Sequence, residues 1–224
     1  MRRKGAGRLN KLFYKELRLV THPTSIMFFG LAALMLIPNY PYYVTFFYTA
    51  LGVFFCCLSG RENNDIFYTA MLPVAKGDIV RARFLFACTL ELVQFALAVP
   101  FALIRQSFSA VPPNQVGIEA NIAFFGLAFV MMGLFNLVFF TRYYKNPDKV
   151  GKCFAVASVV MFVYMTVMEA LVHAVPFMRD CIDTTDAYFV KEKLVFLFAG
   201  AAVYALLTFA AMKISVKSFQ KLDL

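Results

Sequence analysis

An all-α integral membrane fold follows from three observations. The 224-residue chain is 61% hydrophobic and only 16% charged, with a mean hydropathy of +0.70. A soluble domain of this size lacks the polar side chains to cover that much apolar surface. Apolar runs of 19 to 21 residues recur along the chain, matching the ~20 residues that a helix needs to cross the hydrocarbon layer. Within those runs apolar residues do not alternate with polar ones, so barrel strands are excluded and the backbone must satisfy itself as helix. The expectation is one transmembrane domain, residues 1–224, with six transmembrane helices. An N-terminal amphipathic helix precedes them, and a short cytoplasmic helix lies between the second and third.

Leu9, Leu12, Phe13, Leu17 and Val20 recur at helical spacing opposite Asn10, Lys11, Lys15 and Arg18. Residues 1–21 therefore read as a helix lying in the membrane interface, or alternatively as an extension of the first span into the cytoplasm. A secretion signal does not fit, because the apolar part begins only after Arg18 and no small-residue cleavage pattern interrupts it. "THP", residues 21–23, ends this helix and starts the first span. Residues 23–59 carry no formal charge over 37 positions, far too long for one upright helix at about 1.5 Å per residue. "IPNYP", residues 37–41, breaks the run, since each proline removes a donor and biases its predecessor away from helix. Two shortish spans result, 22–37 and 42–59. Four more follow at about 84–104, 121–141, 153–173 and 194–212.

Basic residues test this topology, because cytoplasmic segments carry the excess of Lys and Arg. With six spans and the N-terminus inside, the inner segments hold 18 of the 22: seven in residues 1–20, four in 60–83, four in 142–152 and three in 213–224. Outside fall only Arg105, Arg179, Lys191 and Lys193. Five spans would put the first two basic segments on opposite faces. The expectation is a multi-pass protein of the cell membrane with both termini cytoplasmic. Its net charge of +9 is then a topology signal and an attraction to anionic lipid, not a mark of nucleic-acid binding.

Several chemistries find no support. Cys56, Cys57, Cys88, Cys153 and Cys181 show no CxxC spacing, and only Cys181 falls in an outer loop, so Cys56, Cys57 and Cys88 read as buried small hydrophobes. His22 and His173 lie at opposite faces, which leaves no metal site. No G-x-x-x-x-G-K-[ST] occurs, so the chain has no ATP site of its own and any pumping must be driven by a partner.

Polar residues inside the spans are functional candidates, since each charge costs roughly 2.5 to 3.5 kcal/mol at mid-bilayer. Glu91 lies in the third span with Gln94 at i+3 on the same face. Glu169 lies near the outer end of the fifth, with His173 at i+4. These four either line or gate a path across the membrane or act as packing glue. Asn136 reads as an interhelical hydrogen bond.

Residues 60–86 interrupt the apolar chain. Residues 63–72 read as a short helix capped by Asn63 or Asn64, with Ile66, Phe67, Ala70 and Met71 as its apolar face. Pro73 ends it, and Asp78 reads as the N-cap of the third span. Arg81 and Arg83 then stand where the helix dipole disfavours cations, favoured instead by lipid phosphates, the positive-inside orientation rule or a partner's carboxylates.

"ENNDIFYTAMLPVAKGDIVRARFL" resembles the cytoplasmic segment of the ABC-2 type permeases, the membrane subunits of ATP-binding cassette exporters. Glu62, Asp65, Leu72, Pro73, Val74, Lys76, Ile79, Val80 and Arg83 match that pattern, while Ala75 stands where a hydroxyl residue is usual. The basic amphipathic start with "YKELRL", the six spans and the length agree in outline over nearly the whole chain. The resemblance implies two permeases, as homodimer or close heterodimer, paired with two cytoplasmic ATPase subunits that bind the ATP and Mg. The helix before Leu72 and Pro73 would be the coupling helix, seated in an ATPase groove by its apolar face. "RYYKNPDK", residues 142–149, is a second candidate contact or a solvated loop. "RDCIDTTDAY", residues 179–188, would cap the outside, or its acidic residues belong merely to a solvated loop. The apolar lining suits amphipathic peptides or lipid-like molecules, and small exporters of this kind are similar to those that expel phenol-soluble modulins. The rival is a six-span capture subunit of an energy-coupling-factor importer, which would need convergent polar side chains near the outer face. Only Glu169 and His173 suggest such a cluster.

Overall fold

A computed structural model describes residues 2–107 and 114–222, and the remaining positions, Met1, 108–113 and 223–224, lie outside the described residues. All regular structure among the described residues is helical. Helix α1, Arg2–Lys15, widens into a π-helical turn at Glu16–Val20. Helix α2, Pro23–Phe29, continues as a 3-10 helix over Gly30–Leu36. Then come α3, Tyr43–Glu62; α4, Asp65–Ala70; α5, Lys76–Ser107; α6, Ile122–Tyr143; α7, Val150–Ala174; and α8, Val190–Gln220.

Helices α3, α5, α6, α7 (with the 3-10 turn before it) and α8 are each long and apolar enough to cross a membrane, and the N-terminal pair, bent by 89°, brings the number to six if it counts as one span. The bend sits where the sequence places it. His22 is the N-cap of α2, its ring nitrogen accepting from the Thr24 N–H, and Pro23 occupies the first turn, where its missing N–H costs nothing. The 3-10 stretch rises about 2 Å per residue, so residues 23–36 reach farther than an α-helix of equal length. Ile37 to Tyr42 form the expected turn, with Asn39 in the left-handed region at φ 54° and the Tyr42 hydroxyl donating to Ile37 O at 3.2 Å.

The core is aromatic and close-packed around α3, α5, α6 and α8. Phe95 stacks on Phe46 and Phe129 with centroids 4.2 and 3.9 Å away. Helices α6 and α8 make the most extensive pairing, because Gly126 and Gly200 meet backbone to backbone: a Cβ at Gly126 would fall 2.2 Å from Phe196 O, and one at Gly200 2.0 Å from Gly126 O. Small residues at such a crossing let two membrane helices approach.

Some boundaries differ from expectation. Helix α5 begins at Lys76, not Asp78, and Asp78 sits within its first turn, accepting from Arg81 at 3.0 Å. A carboxylate there complements the dipole and offsets Arg81. Helix α4 is shorter than 63–72, and Asn64 precedes it at φ 51° with no side-chain cap. Leu17, placed on the apolar stripe of α1, is exposed; Leu12 and Val20 are buried, and Glu16 with them.

Candidate functional site

Two turns join α3 to α5 through α4, and what fixes α4 is charge. The Arg83 side chain is 2% exposed, so it faces the interior of the chain and neither lipid nor a partner. Its Nε lies 2.5 Å from Glu16 Oε2 and its Nη2 2.6 Å from Asp65 Oδ2. Lys15 Nζ closes the set at 2.7 Å from Asp65 Oδ1 and 3.0 Å from Glu16 Oε1, and donates to Thr69 Oγ1 at 2.9 Å. Two cations and two carboxylates, formally neutral together, thus join α1, its π-turn, α4 and α5. Gly60 makes room for them, since a Cβ there would lie 3.4 Å from Arg83 Nη1. Attraction repays the desolvation of such groups only when every charge is paired and hydrogen-bonded.

The charge cluster determines which face of α4 looks out. Ile66 and Thr69 turn toward the bundle, with Ile66 only 8% exposed, whereas Phe67, Tyr68, Met71 and Leu72 stand 47, 63, 70 and 52% exposed. Of the expected apolar face, Phe67 and Met71 point outward; Ile66 is buried and Ala70 half-buried. Glu62 and Arg81 are exposed, Pro73 follows α4 as its stop, and Lys76 Nζ is tied back to the carbonyl of Leu222. The loop of residues 142–149 borders the same end: a cavity of about 330 Å³ lies between Ile66 and Phe67 of α4 and Tyr143 with Lys145 to Asp148, bridged by Arg61 Nη1 donating to Asp148 O at 3.2 Å.

A second polar cluster sits in the middle of the spans. Glu91 Oε2 accepts from the Tyr204 hydroxyl at 2.6 Å and from Asn136 Nδ2 at 3.0 Å, and Asn136 Nδ2 also reaches Thr208 Oγ1 at 3.1 Å. Asn136 makes the expected interhelical bond, and the cluster fastens α5 to α6 and α8. Gln94, one turn above, is fully buried with neither amide atom bonded among the described residues.

At the other end no hydrogen bond or ion pair joins Glu169 to His173 among the described residues. Glu169 Oε2 accepts from the Ile118 N–H at 3.1 Å, and Gly117 passes so close that a Cβ would fall 1.6 Å from that oxygen. His173 is exposed. Above Glu169 the connections knit together: Glu119 N–H donates to Asp183 Oδ1 at 2.7 Å, Asn121 Nδ2 to Ile182 O and Thr184 O at 2.7 and 2.9 Å, and Gln106 Nε2 to Asp186 Oδ2 at 2.8 Å. Lys193 Nζ donates to Thr184 O and Thr185 O, both at 2.6 Å. Burial raises the carboxyl pKa of Asp183 above its ordinary value, despite the Glu119 N–H that it accepts. Asp183 and Asp186 thus bind the cap, and only Asp180, paired with Arg179 at 2.8 Å, matches a solvated acid.

Sequence reasoning overlooked Glu16. Its signal was present, for at 100° per residue positions 9, 12, 13, 16 and 20 form one stripe, and a carboxylate in the middle of an apolar stripe needs a buried cation.

The helical bundle with five to six candidate spans defines a multi-pass membrane protein. A family model described as ABC-2 family transporter protein matches residues 11–220. The chain belongs to that family, and is therefore a membrane component of a transporter. No curated protein and no solved structure matches it.

Proposed function

We propose that the chain is the permease subunit of an ATP-driven exporter in the cell membrane, with both termini cytoplasmic. Two permeases would work with two cytoplasmic ATPase subunits that bind the ATP and Mg. The carrying observation is the two-sidedness of α4: Phe67, Tyr68, Met71 and Leu72 project from the chain, while Asp65 and Thr69 on the same short helix are held by Lys15 and Arg83. An exposed apolar patch on a six-residue helix gains nothing in water and suits a partner's groove. The ion pairs make α4 rigid with α1 and α5, so a push on the patch would move both helices together.

Glu91, Asn136, Tyr204 and Thr208 would carry that motion from α5 to α6 and α8, which gives Glu91 a positioning role within one permease. The path itself would open between two copies as they move against each other. Its walls would be apolar, suiting amphipathic peptides or lipid-like molecules. Glu169 would hold the outer cap in place, with Gln94 and His173 as the remaining polar positions along the way. Membership of the ABC-2 family favours this reading over an importer's capture subunit.

Co-purification of the chain with its ATPase tests the assignment. Replacing Phe67 and Met71 by Asp is expected to abolish the complex and its ATP turnover while leaving the permease folded, whereas unchanged assembly would overturn it.

A further inference from the structure

Four basic residues cluster where α6 ends and α7 begins, and the one carboxylate of that stretch, Asp148, pairs with none of them among the described residues. Arg142, Lys145, Lys149 and Lys152 are all exposed. None forms an ion pair among the described residues, and the Arg142 guanidinium donates only to Val138 O, at 3.3 Å. Together they line a cavity of about 330 Å³ whose floor is Cys153 and Val156, and no carboxylate lines it. Four like charges around one cavity repel one another, and Lys149 and Lys152 also stand at the N-terminal end of a 25-residue helix, where the dipole disfavours cations.

The floor identifies what would relieve them. Lys152, Val156, Val159 and Val163 follow one another at i+4, i+7 and i+11, a single stripe along α7. Val156, Val159 and Val163 are 40, 61 and 59% exposed. Cations at the head of an exposed apolar stripe match an amphiphile with an anionic end and a hydrocarbon tail.

We propose that this cavity is a binding site for the headgroup of an anionic phospholipid, its phosphate among Arg142, Lys145, Lys149 and Lys152 and one acyl chain along Val156, Val159 and Val163. The proposal uses the six-span reading only to set this end of α7 at the membrane surface. The site holds the loop between α6 and α7, one wall of the cavity beside α4, against the bilayer.

The test is native mass spectrometry of the delipidated full chain titrated with phosphatidylglycerol and, separately, phosphatidylcholine. Each basic residue near the surface is worth about fivefold in affinity for anionic lipid. Replacing Lys145, Lys149 and Lys152 by Gln is expected to weaken the tightest phosphatidylglycerol adduct about 100-fold. Arg at the same positions should retain it, as should Gln at Lys213, Lys217 and Lys221, which removes equal charge at the cytoplasmic end of α8. Equal losses in the two Gln variants would mean net charge alone and overturn the site. Displacement of the lipid by millimolar glycerol 3-phosphate would show a site for soluble anions, and also overturn it. If the first Gln variant keeps the lipid but no longer co-purifies with the ATPase, the patch is a protein contact and the proposal fails. Because lipid retention is read on the permease alone, a failed exporter assignment leaves this result interpretable.

Discussion

Arg83 shows how much one side chain can decide. From sequence alone it can equally face a partner or lipid, because position in a charged segment says nothing about the direction of a long side chain. The structure turns it inward to Glu16 and Asp65. Removing one member of a buried pair strands the other, at a cost of about 3–5 kcal/mol. Arg83→Met is therefore expected to lower the melting temperature in detergent sharply, and Glu16→Gln in the same background to recover part of the loss. Strict additivity of the two would mean that the pair contributes nothing. Glu91 gives a contrasting case. Glu91→Gln keeps an oxygen for Tyr204 and Asn136 and is expected to retain stability, whereas Glu91→Leu removes the acceptor of the Tyr204 hydroxyl and leaves Asn136 Nδ2 with Thr208 alone, a buried polar loss of about 1–3 kcal/mol. Thermal unfolding of the two variants separates them, and equal loss in both would mean that the carboxylate's charge matters rather than its hydrogen bonds.

The helices were the most legible elements, and their ends the least. Apolar runs located α3, α5, α6, α7 and α8 because lipid imposes a length on any helix that crosses it. "THP" and "IPNYP" marked true breaks because proline acts through local geometry. Helix α5 outran its expected span of 84–104 at both ends, since polar residues continue a helix past the hydrocarbon without an apolar signal. The α6–α8 contact was invisible in sequence: Gly126 and Gly200 acquire meaning only once two helices are set side by side. Gly126→Ala is expected to disrupt that crossing and to deplete folded protein after detergent extraction. Gly151→Ala, where a Cβ meets nothing within 4 Å, should be neutral or stabilising by up to about 1 kcal/mol. Similar yields from both variants would show that the close approach is dispensable.

At the scale of the whole molecule, polarity is concentrated in three layers. A charge cluster ties α1, α4 and α5 at one end, Glu91 and Asn136 fasten α5, α6 and α8 midway, and a hydrogen-bonded cap around Asp183, Asp186 and Lys193 closes the other end. Of these, the sequence pointed to Glu91 and Asn136 of the middle layer but not to Tyr204 and Thr208, and the family resemblance implied the cap. The sequence did not disclose the partners, which are set by helix rotation. Helical spacing sets Glu169 beside His173, yet a loop glycine, Gly117, brings the Ile118 N–H to it first. The layers leave α4 as the place where an apolar surface faces out beside a rigid charge cluster. The central claim is that an ATPase docks there, and site-specific photo-crosslinking tests it most directly. A photoreactive phenylalanine at Met71 is expected to crosslink the ATPase subunit in membranes, while the same probe at Tyr188, similarly exposed at the cap end, should not. Crosslinks from Tyr188, or none from Met71 in an assembled complex, would contradict the account.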